Sequence, residues 1–494
     1  MNKRVSIVGS GFSGLSAASV LAHRGFEVDV FEKNSQPGGR ASKFQSAGFT
    51  FDMGPTWYWM PDVFERYFSI FGKKVEDYYL LTRLDPSYRM FFGQHDFIDI
   101  PASLNELYTL FEQIEPGSSN KLKIFLKDAE LKYNIGIKEL VYKPGKSIFE
   151  FLDFNLIKGI SKLDFFKSMT SYITSKFKDP RIIKILEFPV IFLGATPSDT
   201  PALYSLMNYA DLSLGTWYPM GGMHKVVEAM TELASSFGAN IHYNSEIKKI
   251  DIEKNKVKTI TLNGSTLPCD ILIGSGDYQH IEHDLLDEDF RTYTNKYWQS
   301  RKLAPSALLF FLGVNKKIKN LLHHNLLFDQ DFSKHADEIY KHPQWPANPA
   351  IYVSVSSKTD PTVAPIGFEN LIILIPVAPG LHDTDEIRER YYDLVMDRLE
   401  FITGDSIKSH VIMKRTYAHR DFEKDYHAYK GNAYGLANTL FQTAIFKPKM
   451  KSKKVDNLFY CGQLTVPGPG VPPSIISGEI AANLVVEYVK TKGL

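Results

Sequence analysis

The apolar positions of the chain change period several times, and those changes outline its architecture. Val5-Ser-Ile-Val8 is a short apolar run. Leu15, Ala17, Ala18, Val20 and Leu21 then recur at helical spacing and stop near Gly25. A second apolar run, Glu27 to Phe31, closes on Glu32. This predicts a strand, a helix and a second strand. From about residue 61 to about 210 the pattern is helical and mixed. A clear helix, Lys225 to Phe237, ends at Gly238; an apolar strand (Asn240–Tyr243), a charged hairpin-like region (Glu246–Asn263) and a strand at Cys269–Ile273 follow. Residues 281–425 mix both periods, with Pro-, Asp- and His-rich loops over 341–370. The last stretch predicts a strand at Asn457–Cys461, a long Gly/Pro loop, and a helix over Ser474–Val489 that starts at Pro473 or Ser474.

The turn between the first strand and helix reads Gly9-Ser10-Gly11-Phe12-Ser13-Gly14, with Glu32 about twenty residues on. That is the G-x-G-x-x-G dinucleotide fingerprint in its required strand–turn–helix–strand setting. Gly9 allows the tight turn, Gly11 lets a pyrophosphate approach the backbone, and Gly14 lets helix and strand pack closely. The helix N-terminus offers unpaired N–H groups to phosphate, and Glu32 can accept from a ribose diol. The fold class is therefore α/β. A Rossmann-like domain, discontinuous over 1–60, 215–280 and 426–494, has a mixed α+β substrate domain (61–214 and 281–425) inserted into it. Gly274-Ser275-Gly276 is not a second fingerprint, because no third glycine stands at the required spacing. Pro37-Gly38-Gly39-Arg40 is a turn, and its place just after the ribose acid points to a ligand role, with Arg40 offering a planar fork to phosphate.

Composition narrows the field. At 494 residues, two or more cores are expected. A net charge of +1 gives no reason to expect a nucleic-acid partner. The only two cysteines, Cys269 and Cys461, lie far apart, so a disulfide framework, a cysteine metal site and a dithiol pair are unsupported, and no metal is expected. The first strand begins too early for a signal peptide, and the longest apolar runs fall short of the roughly twenty residues that span a bilayer. A reducing, cytoplasmic protein is expected. Residues 149–178 interleave Phe and Ile with Lys158, Lys162, Lys167, Lys176 and Lys178. Such a stretch either lies in a membrane interface or packs its apolar face on the core.

The fingerprint, Pro37-Gly-Gly-Arg40, Phe51-Asp-Met-Gly-Pro-Thr56, Tyr218-Pro-Met-Gly-Gly-Met223, Gly431-Asn-Ala-Tyr-Gly435 and the segment Asn457–Gly462 with Pro467-Gly-Pro-Gly-Val-Pro472 together resemble the FAD-containing amine oxidase superfamily. Within it they are similar to the bacterial-type phytoene and carotenoid desaturases. Val466 stands where that family often has His, and Gly274-Ser275 where it often has Asn-Ala. The resemblance implies non-covalent FAD. It implies that Gly9, Gly11 and Gly14, with Phe12 and Ser13 between them, hold the pyrophosphate, that Glu32 and Lys33 meet the adenosine ribose, and that Gly39 and Arg40 support the phosphate side. Ile247 is then expected at the adenine, Gly462 by the pyrophosphate, and Gly54, Pro55, Thr56 and Trp57 with Gly470, Val471 and Pro472 around the flavin.

The activity so implied is desaturation of a C40 polyene by hydride transfer to flavin. Positioning in a dry apolar tunnel is its chief demand, and no strong base is obligatory. Glu150, Asp153, Asp211 and His419-Arg420-Asp421 are polar candidates, each read first as a solvated or ion-paired surface group; catalytic residues remain unassigned. A lipophilic substrate requires contact with the membrane surface, which strengthens the interfacial reading of 149–178. Oxygen or a quinone is the expected electron acceptor. An amine oxidase, a carotenoid isomerase or saturase, and a non-catalytic isoprenoid-binding carrier are the rival readings; Trp57, Tyr58 and Trp59 could form an amine's aromatic cage.

Overall fold

The computed structural model describes residues 3–147, 150, 167–191, 194–439 and 442–493. Five parallel strands form one sheet in the order Leu458–Tyr460, Ile271–Gly274, Arg4–Val8, Glu27–Phe31, Asn240–His242. Val5 sits between Ile271 and Val28 in register, so the first strand lies at the centre of the sheet. Its apolar residues are buried on both faces, as parallel strands require.

The helix Phe12–His23 follows at once and is buried nearly all round. It packs against both His224–Ser236 and the closing helix Val471–Lys492. Small residues make that possible. A Cβ on Gly478 would lie 2.2 Å from the Ser13 carbonyl oxygen, and Ser16 Oγ donates to the Ile475 carbonyl at 2.7 Å. The closing helix starts at Val471, not Ser474, and runs on to Lys492. Pro472 and Pro473 occupy its first turn, where a missing N–H costs nothing. The charged region beyond residue 246 is a three-stranded antiparallel sheet, Ile247–Glu253, Lys256–Leu262 and Ser265–Pro268.

The second large sheet has seven strands: Val411–Tyr417, Ser306–Val314, Glu369–Val377, Ile351–Ser354, His324–Leu327, Tyr88–Phe91 and Phe97–Ile100. Ser306–Val314 is buried throughout because both faces are covered. Leu308, Phe310 and Leu312 enter one core, while Ala307, Leu309 and Phe311 enter another, with Phe49 and Phe51 of the hairpin Lys43–Ser46/Phe49–Asp52. Of the stretch 149–178, residues 149 and 151–166 lie outside the described residues. Its described end carries the helix Met169–Thr174, whose Met169, Tyr172 and Ile173 are buried. No helix among the described residues is long and apolar enough to cross a membrane.

Candidate functional site

A cleft opens where the five-stranded sheet meets the seven-stranded one. Gly9, Gly11, Phe12 and Ser13 line it from the first turn and helix; Glu32, Lys33, Gly39 and Arg40 continue from the second strand. Gly54, Pro55, Ile247, Gly462, Gly470 and Val471 complete the predicted residues that reach it. The chain thus brings together segments more than 400 positions apart.

Four predicted residues do not line the cleft. Gly14 lies beneath it, where a Cβ would stand 2.1 Å from the Gly9 carbonyl oxygen, so its hydrogen lets the helix close on the turn. Thr56 and Trp57 turn away into the seven-stranded sheet. Thr56 Oγ1 is 2.6 Å from the Tyr352 hydroxyl, which is 2.7 Å from His324 Nδ1, and the Trp57 ring stacks on His324 at 4.1 Å. Pro472 takes its place in the first turn of the closing helix.

The polar part of the cleft is built for an anion held by backbone. Gly9 has φ +93°, a conformation that favours glycine, and its N–H donates to the Phe31 carbonyl at 2.8 Å. The helix after Gly11 has no side-chain cap, and neither does the closing helix after Gly470. The first helix N-terminus therefore presents unpaired N–H groups to the cleft, and the closing helix, whose Pro472 and Pro473 carry no N–H, adds mainly the positive end of its dipole. Glu32 is buried and accepts from Ser10 N–H at 2.9 Å, Ser10 Oγ at 2.8 Å and Asn34 N–H at 2.9 Å. Oε2 is filled by the two Ser10 donors, while Oε1, which accepts from Asn34 alone, keeps lone-pair capacity for a further donor. Arg40 donates from Nη2 to the Asn432 carbonyl at 3.2 Å and lies over the Tyr426 ring, while its buried Nε has no hydrogen-bond partner. Burial holds its guanidinium below the usual arginine pKa, and Asp277 opposes that.

The lining also includes apolar residues, Ala307, Leu309, Leu374 and Phe422, joined by Tyr434. The polar candidates do not converge there. Asp211 is not a surface group: it is buried, accepts from Tyr88 OH at 2.7 Å and Thr216 Oγ1 at 3.3 Å, and is pushed up to about 7 by burial. His419 is buried too, its Nε2 2.8 Å from the Ala378 carbonyl. Asp421 pairs with Arg388 at 2.7 Å and Arg420 with Asp385 at 2.5 Å. Glu150 accepts from Lys146 N–H at 3.1 Å, and Asp153 lies outside the described residues. No group of side chains able to hold a metal occurs among the described residues.

Sequence reasoning missed Asp277, His280, Asp425, Tyr426 and His427, all of which line the cleft. Asp277 had a local signal: it ends the strand–Gly-Ser-Gly turn and caps the next helix, accepting from Gln279 N–H at 3.0 Å. Asp425 to His427 had none, because they reach the cleft only through the fold.

A Rossmann-type sheet, a glycine turn and a cleft lined by two uncapped helix N-termini define a dinucleotide-dependent enzyme. Residues 12–486 match the model of the flavin-containing amine oxidoreductases. The chain is 40% identical to the carotenoid 3,4-desaturase of Haloarcula japonica over 98% of each chain. It is 29% identical to the zeta-carotene-forming phytoene desaturase of Myxococcus xanthus over 100% of this chain and 95% of that one. An oxidoreductase from Methanosarcina mazei shares the fold, with a TM-score of 0.62 at 17% identity over 98% of this chain and 100% of that one. The chain belongs to the flavin-containing amine oxidoreductase family and is an FAD-dependent oxidoreductase.

The residues present fit FAD. Gly11 faces open space, with nothing within 4 Å of a Cβ placed there, and the partnerless Arg40 Nε marks a buried cation beside the cleft. Glu32 Oε1 retains capacity for one ribose hydroxyl.

Proposed function

We propose that this chain is a carotenoid desaturase that takes hydrogens from adjacent carbons of a phytoene-type C40 polyene. The observation that carries this reading is its 40% identity with a carotenoid 3,4-desaturase along nearly the whole of both chains. In this reading Gly9, Gly11 and Gly14 frame the pyrophosphate, Glu32 the adenosine ribose, and Gly54, Pro55, Gly470 and Val471 border the flavin. Segments 1–60, 215–280 and 426–494 form the cofactor-binding body, and 61–214 with 281–425 the substrate body; the helix His419–Tyr426 crosses the boundary between them.

Bound FAD supplies a two-electron hydride acceptor. The chain's own residues position the polyene and exclude water. Ala307, Leu309, Leu374 and Phe422 give an apolar wall without paired acids, which supports this reading. Hydride loss leaves an allylic, delocalised cation on the substrate, so the neighbouring proton departs without a strong base. A C40 polyene dissolves only in a bilayer; hence we place the protein at a membrane surface on the cytoplasmic side, with oxygen or a quinone accepting the electrons.

The test is anaerobic mixing of the yellow holoprotein with phytoene in liposomes. Loss of the flavin's visible absorbance, with a more unsaturated polyene recovered by chromatography, is expected. Amines in place of the polyene should leave the absorbance intact. A flavin that bleaches with amines but not with any C40 polyene would sink the proposal.

A further inference from the structure

Three stretches remote in sequence meet at one edge of the cleft. Lys33 and Asn34 follow the second strand, Glu246 precedes the hairpin, and His280 lies on the helix Tyr278–Asp284. Opposite them, Asp425-Tyr426-His427 ends the helix His419–Tyr426, with His427 at φ +50°. Lys33 Nζ donates to the Lys424 carbonyl at 2.6 Å and Asn34 Nδ2 to the Asp425 carbonyl at 3.2 Å. His427 Nε2 lies 2.8 Å from Glu246 Oε1, a carboxylate that fixes this nitrogen as the donor. The His427 ring stacks on His280 at 3.9 Å and 13°. Among the described residues every hydrogen bond across this joint uses a side chain, and no backbone ladder crosses it. Lys430 and Gly431, at φ +55° and +58°, form a second bend just beyond.

We propose that Asp425–His427 is a strap closing over the adenosine half of the cofactor, and that the His280–His427 stack is its latch, which acid releases. The inference rests on the FAD reading of the cleft and adds two residues to its adenosine end. Several charges surround the latch. Glu246 and Asp284 favour protonated rings, the latter with Oδ2 2.6 Å from His280 Nδ1; Lys33, 3.3 Å from His427 Nε2, opposes them, and Lys248, Asp425 and Glu32 act through Lys33. Burial outweighs the carboxylates and holds both imidazoles below their ordinary pKa. The closed strap therefore prefers neutral rings, and two protons would set two cations one ring-stack apart. An open strap returns both rings to water, where they titrate near about 6.5. Falling pH thus shifts the balance toward the open form.

The experiment follows release of FAD from the holoprotein on dilution, by recovery of free-flavin fluorescence, between pH 8 and pH 5.5, with circular dichroism reporting the global fold. Release from the parent should be up to roughly a hundredfold faster at pH 5.5 than at pH 7.5, as for two protons taken up on opening. His280→Phe keeps a ring in the stack and removes one of the two titrations, so its acid response should fall to roughly tenfold, the share of His427. His427→Asn tolerates the left-handed backbone and loses the stack, so its release should be fast at both. Parent release that ignores pH, or an unchanged acid response in His280→Phe, overturns the strap alone. A chain that binds no FAD at pH 8 overturns the cofactor reading and the strap with it.

Discussion

Two carboxylates, Asp211 buried and Asp52 half-buried, show how position sets charge. Asp52 accepts from the Met223 and His224 N–H groups at 2.8 and 2.9 Å, at the start of the helix His224–Ser236, yet burial still raises it to about 6. Asp211 lacks such a helix end and relies on the Tyr88 and Thr216 hydroxyls, with the Arg83 charge nearby, and reaches about 7. Both stand above the ordinary aspartate value of 3.8. The folded chain therefore holds protons that the unfolded chain has released. Their stabilising effect is complete below about pH 4 and is lost as pH rises toward 7. Asp211→Asn keeps an acceptor for Tyr88 and removes this loss. It should raise the unfolding midpoint at pH 8, by an amount equivalent to about 1–4 kcal/mol, and leave it unchanged at pH 4. Thermal unfolding at the two pH values measures this, and an equal effect at both would show that charge is not the cause. The surface reading of Asp211 failed because one of its two partners, Tyr88, lies 123 positions away; a lone acid in a mixed segment carries no mark of such a partner.

At the scale of elements, glycines of one chemical type serve opposite ends of the same packing problem. Gly11 has φ −70°, which alanine adopts freely, and its missing side chain leaves only open cleft. Gly478 faces the helix Phe12–His23, where a Cβ would lie 2.7 Å from Ser16 Cβ and 2.9 Å from the Ala17 nitrogen. Gly11→Ala should leave the unfolding midpoint of the FAD-free protein unchanged and weaken FAD binding at least about tenfold, since a methyl displaces phosphate from the backbone. Gly478→Ala should instead cost about 1–3 kcal/mol by overpacking. Fluorescence titration with FAD and thermal unfolding of the FAD-free chain separate the two, and identical profiles would refute the distinction. Only the first of these roles was legible in the sequence. The fingerprint is local: turn, helix and second strand all fall within residues 4–31, so spacing alone describes them. The helix that Gly478 serves meets the first helix across more than 450 positions. The order of the seven-stranded sheet was hidden for the same reason, since Tyr88–Phe91 pairs in parallel with His324–Leu327. Thr56 and Trp57 follow Gly54-Pro55 so directly that sequence assigns them to the flavin, but His324 and Tyr352 draw their side chains into the other sheet.

On the proposed carotenoid reading, the whole molecule brings an apolar substrate from a bilayer to a cleft between two sheets without a membrane-spanning helix among its described residues. Its net charge of +1 provides no general attraction to an anionic membrane, so any attraction must be local. The stretch 149–178 carries lysines at 158, 162, 167, 176 and 178. The chain just before it lies against a C-terminal segment with an exposed aromatic ring: Lys449 Nζ donates to the Gly145 carbonyl at 2.6 Å, and Phe446 is 51% exposed. An interfacial contact needs basic side chains together with exposed apolar ones. Each lysine near an anionic surface is worth about 1 kcal/mol, and salt screens it. Replacing the five lysines by Gln should therefore remove most co-sedimentation with anionic liposomes at low salt, while FAD content stays the same. Phe446→Ser should weaken the residual binding that survives high salt. If both variants sediment as the parent does, the membrane contact lies on another face and the lysines are solvated surface charges. If binding falls while the bleaching of flavin by detergent-dispersed phytoene persists, delivery of substrate and its chemistry are separate properties of separate surfaces.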